Sequence, residues 1–155
     1  MDMSNKIKIK HENTLFLKKK EKKIRLLCNK IFDTLNIKNW ELSIVICDDT
    51  FIKFLNKEYR NSDEPTDVLS FSQMEDNFPA FGAKTIHAGD IVISIDTLKR
   101  NSGELGVDIN EEFARLLLHG ILHINGYTHS DNNPEQKMII FQEEILKNLT
   151  GVEIF

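Results

Sequence analysis

Between residues 113 and 125 the chain runs FARLLLHGILHIN, and this stretch limits the possible folds more than any other. Phe113, Leu117, Ile121 and Ile124 recur at intervals of three and four. A helix capped by Asp108 or Asn110 and running through Asn125 therefore gathers them into one apolar stripe that must be covered. Glu112, Arg115, His119 and His123 fall on the opposite, polar face of the same helix. Such an element requires another layer against its apolar side and a polar opening on the other.

The rest of the chain offers both strands and helices for that layer. Trp40 to Cys47 is a β-branched, partly alternating run that suits a strand. Asp67 to Phe71 and Ile91 to Ile95 read as two more short strands, Lys6 to Lys10 as a further one, and Gln73 to Gly89 as a loop rich in acidic, Phe, Pro and Gly residues. Ile24, Leu26, Leu27, Ile31, Phe32 and Leu35 follow helical spacing behind the basic run Lys18, Lys19, Lys20, Lys22 and Lys23. Asp48, Asp49 and Thr50 supply caps for a helix reaching about Tyr59, followed by a turn from Asn61 to Pro65. Asp96 caps a short helix ending near Gly103, and Asn133-Pro134 opens a last helix through about Leu149. This mixture fits α+β or α/β. With 155 residues, no repeat and no dividing linker, one domain over residues 1–155 is expected.

Charge and cysteine content narrow the chemistry. The net charge of -4 argues against a protein that coats nucleic acid by charge alone. That average conceals an asymmetry: residues 1–30 hold ten Lys/Arg against three Asp/Glu, whereas residues 31–155 hold ten against twenty-one. The basic run is an electrostatic footprint for RNA or another polyanion, or else an ordinary solvated helix start. Cys28 and Cys47 lack the spacing of a metal knot, and two reduced, packed thiols are expected. No apolar run approaches the ~18 residues of a membrane span, and MDMSNKIKIK lacks the core of a secretory signal, so a soluble, cytoplasmic protein is expected.

The chemical signal is concentrated in HGILHINGYTH, residues 119–129. On a helix His119 and His123, four residues apart, turn both imidazoles toward a common point. Gly126 can end the helix in a left-handed conformation and return the chain so that His129 delivers a third nitrogen. Three imidazoles bound to zinc at about 2.0–2.1 Å leave a fourth position for water, which is the catalytic pattern; imidazole also suits nickel, copper and iron. The residue after the first histidine is Gly120. The glutamate base of the HExxH peptidases is therefore missing.

This segment resembles the signature HGxLHxxGYDH of the YbeY family of bacterial rRNA-maturation endoribonucleases. Asn56, Tyr59, Arg60, Asp63, Pro65, Thr66, Asp67, Val68, Leu69, Ser70 and Phe71 are similar to the family's NxxYRxxDxPTDVLSF, and Gly89-Asp90-Ile91 with Ile93-Ser94 to its GDIxIS strand. The three blocks span residues 56 to 145, and residues 1 to 50 agree in pattern alone. Thr128 departs from the family's Asp in GYDH. If that Asp orients a ligand, Thr128, Asp131 or a water must replace it.

The resemblance implies an α+β fold with a small mixed sheet, one Zn2+ held by His119, His123 and His129, and a cleft lined by Arg60. It further implies cleavage of single-stranded RNA, with the 3′ end of small-subunit rRNA and ribosome quality control as its setting and the small ribosomal subunit as partner. Arg60 would hold phosphate oxygens bidentately. Asp67, Ser70 and Asp90 touch substrate or merely hold turns and strands, and Glu112 joins the metal face or pairs with Arg115 or Lys99. Tyr127 stacks on a base or packs on the core, and His11 and His87 read as surface residues. Two other classes stay open: a zinc hydrolase of peptide or amide bonds, and a non-catalytic ribosome-assembly factor with a structural metal.

Overall fold

A computed structural model describes residues 4–74, 85–127, 134–149 and 151–155. The strands β1 (Lys6–Glu12), β2 (Trp40–Cys47), β3 (Val68–Ser72) and β4 (Ile86–Ser94) form one sheet in the order β1-β2-β4-β3. β1, β2 and β4 are parallel, and β3 pairs antiparallel to β4 at the opposite edge. Among the described residues the sheet is accompanied by the α-helices α1 (Glu21–Leu35), α2 (Asp49–Arg60), α3 (Ile95–Leu105), α4 (Ile109–Ile124) and α5 (Pro134–Leu146). This is an α+β architecture with a mixed sheet, as expected.

Alternation along the strands divides the core in two. Leu42, Ile44 and Ile46 of β2 and Ile91 and Ile93 of β4 point to one face, where they pack with the apolar sides of α1, α4 and α5 and the start of α3. Val45, Cys47, Leu69 and Val92 point to the other face, where Ile52 of α2 covers them. The inner strand β2 is apolar on both faces over its last four residues, as a strand covered on both sides must be. At the β1 edge Lys6, Lys8 and Lys10 stand exposed, a charged guard against pairing with another chain.

Helix starts follow their caps. Asp48 accepts a hydrogen bond from the Phe51 amide, and Asp108 accepts from the amides of Asn110 and Glu111. α3 differs from expectation: Ser94 is its cap, accepting from the Thr97 amide, while Asp96 accepts from the Asp49 amide across the fold. α3 also runs past Gly103 and ends at Gly106, whose φ of 66° is left-handed.

A larger correction concerns β4. Residues 86–89, read from sequence as the end of a loop, belong to its first half. Ala88 and Gly89 have poor intrinsic strand preference, but Gly89 pairs with Leu42 of β2 and Ser72 of β3, and the Ala88 carbonyl accepts from the Gln73 amide, which overrides it. Gly89 sits at a register shift with φ 152°, and a Cβ there would lie 2.1 Å from the Phe71 carbonyl oxygen. Close strand approach therefore demands glycine.

Cys28 and Cys47 are unbridged and buried. Burial pushes both thiols up, Cys47 to about 12, which keeps them protonated and inert. No described helix is long and apolar enough to cross a membrane.

Candidate active site on helix α4

α4 lies against β3 and β4 because its apolar stripe is complete: Phe113, Leu117, Ile121 and Ile124 are all buried. Gly120 lets it approach closely. A Cβ at that position would stand 2.9–3.0 Å from three side-chain atoms of Ile91. The position where HExxH enzymes carry a glutamate thus faces the sheet here, and a carboxylate has no space beside Ile91.

His119 and His123 are half-buried on the other side of α4. Their Nε2 atoms stand 3.0 Å apart, with ring centroids separated by 4.5 Å. The expected convergence of the pair is therefore present. His119 Nδ1 lies 2.8 Å from Gln142 Oε1 on α5. Gln142 Nε2 donates to the Glu143 carboxylate over 3.3 Å, and a carboxylate only accepts, so the carbonyl end of the amide is turned to His119. His119 accordingly carries its proton on Nδ1 and directs the Nε2 lone pair toward His123. The two Nε2 atoms lie within hydrogen-bond distance of each other, and imidazole nitrogens brought this close suit a shared transition-metal ion. Among the described residues no third His, Cys, Asp or Glu completes a cluster with them, and His129, like Thr128 and Asp131, lies outside those residues.

Behind the histidines an ionic network joins α4 to α5. Arg115 donates to both Glu143 oxygens, at 3.0 and 3.2 Å from Nε and 3.0 Å from Nη2, and to Glu112 at 2.6 Å from Nη1. Glu112 is thus bound to Arg115, while Lys99 lies over the Phe16 ring. The Arg115 hydrogen bonds hold the Glu143 carboxyl below its usual range. A lowered carboxyl pKa contributes stability above the ordinary carboxylate range and loses that contribution as pH falls through the lowered value. Glu143→Gln is therefore expected to reduce stability at neutral pH and to flatten its decline in acid. Urea unfolding over a pH series measures this, and parallel curves for the two proteins would contradict it.

The network and His119 border a cleft of about 450 Å³ closed on one side by Asp67 and Val68 at the entry to β3. Asp67 accepts from the Val68 amide at 2.7 Å, so it shapes the turn as well as lining the cleft. Arg60 is placed at the neighbouring strand edge. Its Nη2 donates to the Ser70 carbonyl at 2.8 Å and its guanidinium lies 5.4 Å from the centre of the Phe71 ring. Tyr59 meets that ring edge-on from α2. Asp90 accepts from the Gln73 side chain.

Several residues take the plainer of their expected roles, and one reverses its reading. Tyr127 stacks on Phe141 at 5.3 Å, and exposed His87 pairs with Glu41. His11 is no surface residue: its side chain is 4% exposed and its Nε2 lies 2.8 Å from Glu21. Leu26, read as part of the apolar side of α1, is largely exposed. Gln142 and Glu143 are the site residues that sequence reading missed. A glutamine set among the buried Met138, Ile145 and Leu146 of α5 was the available signal.

These features define an α+β protein with paired histidines on a helix packed against a mixed sheet. A family model described as Endoribonuclease YbeY matches residues 6–150. A Treponema denticola protein named Endoribonuclease YbeY is 54% identical over 127 residues, covering 82% of each chain. Its namesake from Treponema pallidum strain Nichols is 47% identical over 116 residues, covering 75% of this chain and 72% of the relative. The solution structure of TM1509 from Thermotoga maritima shares 25% identity at a TM-score of 0.59, covering 92% of this chain and 88% of that one. The chain belongs to the YbeY family.

Proposed function

We propose that this protein is a metal-dependent endoribonuclease that cleaves single-stranded RNA, acting in the cytoplasm on the 3′ end of small-subunit rRNA and in ribosome quality control. The observation that carries the reading is the convergence of His119 and His123 Nε2 with the His119 proton held on the far nitrogen. Two nitrogens bound at about 2.0–2.1 Å to one tetrahedral ion stand about 3.4 Å apart, so the 3.0 Å pair needs an adjustment of a few tenths of an ångström. The donor set therefore fits zinc, with His129 as the third ligand. The chemistry such an ion supplies when bound is Lewis acidity toward a phosphoryl oxygen and acidification of water toward a pKa of about 7.

The chain's own residues supply the rest. Arg60 uses one donor on Ser70, and the remainder of its planar fork can hold phosphate oxygens beside the strand edge. Gly120 removes the glutamate base that peptide hydrolysis by the HExxH route requires, which favours RNA over a peptide or amide substrate. The bonds from Arg115 of α4 to Glu143 of α5 brace the histidine face against its neighbouring helix.

The exposed Lys18, Lys19, Lys22 and Lys23, with half-exposed Lys20, gather positive charge at the start of α1. Neutralising all five is expected to weaken RNA binding and to lower the slope of log affinity against log salt by up to about 3.5, at ~0.7 per phosphate contact on a single strand. Filter binding over a salt series measures it. An unchanged slope would return these lysines to ordinary solvation.

The substrate class is tested by offering the purified protein a labelled single-stranded RNA, the same RNA in a duplex, and casein. Cleavage confined to the single strand supports the proposal. Casein cleavage without RNA cleavage would favour the peptidase class. Zinc binding without turnover of any substrate would favour a structural metal in an assembly factor.

A further inference from the structure

We infer that Gln142 is a positioning residue for the metal centre: through its side-chain carbonyl it selects the Nδ1–H tautomer of His119, and Glu143 with Arg115 keeps that carbonyl turned the right way. In its metal-binding aspect this rests on the function proposed above. Its structural basis is independent of it.

Gln142 is 4% exposed, and both ends of its amide are engaged, Oε1 on His119 Nδ1 at 2.8 Å and Nε2 on Glu143 Oε2 at 3.3 Å. A glutamine amide can be reversed with little change in shape, so its direction must come from its partners. Glu143 offers only acceptors. It therefore takes the amino end, and is itself fixed by three Arg115 contacts from α4. Reversal would turn an N–H at Glu143's partner position toward His119 and favour a proton on Nε2, the atom that faces His123. The relay thus leads from Arg115 through Glu143 and Gln142 back to a ring one turn further along the same helix. α5 acts as a template that sets which nitrogen of His119 can bind a cation. Partners of this kind contribute to affinity by fixing tautomer and ring orientation.

The test compares the full-length protein with Gln142→Leu, Gln142→Met and Gln142→Glu. The leucine and methionine variants keep the side-chain bulk and remove the acceptor; methionine adapts to irregular packing where leucine fails to fold. Glutamate restores an acceptor without a donor. In metal-free, 15N-labelled protein at alkaline pH, two-bond 1H–15N spectra of the imidazoles read the tautomer. His119 should be Nδ1–H in the parent and the glutamate variant, and should move toward Nε2–H in the other two. Zinc affinity from chelator competition should fall about 10–100-fold in the leucine and methionine variants and be retained with glutamate. Unchanged His119 tautomer and parent zinc affinity in a folded leucine or methionine variant would overturn the inference. Failure of the parent to bind zinc would instead sink the proposed function, and the spectra, recorded without metal, would still decide the role of Gln142.

Discussion

Gly89→Ala should cost about 4 kcal/mol or more, an exceptional value for one added methyl group, because Gly89 is buried on an inner strand. The added Cβ would stand 2.1 Å from the Phe71 carbonyl oxygen and 3.2 Å from Ser72 Cα. These are backbone atoms, so no rotamer change relieves the clash. The φ of 152° adds strain that a non-glycine residue rarely accepts. Relief requires β3 to separate from β4, which breaks a pairing extending from Val68–Ile93 to Ser72–Gly89. A typical domain has a total stability of only about 5–15 kcal/mol, so the variant should be largely unfolded or sharply destabilised. The effect reaches the site, because Ser70 holds Arg60 and the entry to β3 borders the His119 cleft. Urea unfolding measures the loss; a midpoint matching the parent's would mean that β3 and β4 do not meet in this register.

His123→Ala should have the opposite signature, with function lost and fold retained. The apolar stripe of α4 and its cap at Asp108 are untouched by the substitution, and His123 lies on the half-buried face rather than in the core. The metal-free variant should therefore melt close to the metal-free parent. Loss of one imidazole from the converging pair should abolish stoichiometric zinc binding. If the ion contributes several kcal/mol of transition-state stabilisation, RNA cleavage should fall about 10³-fold. Metal analysis and single-turnover cleavage check this together. A variant that still binds one zinc and cleaves at the parent rate would remove His123 from the centre.

The histidine helix was legible because its code is local. An apolar period near 3.6, a cap at Asp108 and a glycine after Asn125 all lie within the element they define. Asp48 and α2 were readable for the same reason. Contacts distant in sequence were not readable. The first half of β4 becomes a strand by pairing with β2 from Trp40 onward and, from Gly89, with β3 as well. Asp96 looks like a cap, yet Ser94 holds that place because Asp96 bonds to Asp49, 47 residues away. His11 reads as an ordinary polar residue on an edge strand, and it is buried by its contact with Glu21, ten positions later in the chain. Gln142 belongs to the same group, since its partner His119 lies 23 positions earlier and on another helix. Helical spacing identified the paired histidines, whereas only packing revealed what orients one of them.

The proposed RNA cleavage depends on a metal ion held at His119 and His123. The most direct measurement removes metal with a chelator, returns zinc in sub-stoichiometric steps, and follows cleavage of a labelled single-stranded RNA at each step. Activity should be absent at the start, rise in proportion to zinc, and level off at one equivalent per chain. Full cleavage by the chelated protein, or zinc uptake that leaves the RNA intact, would contradict it.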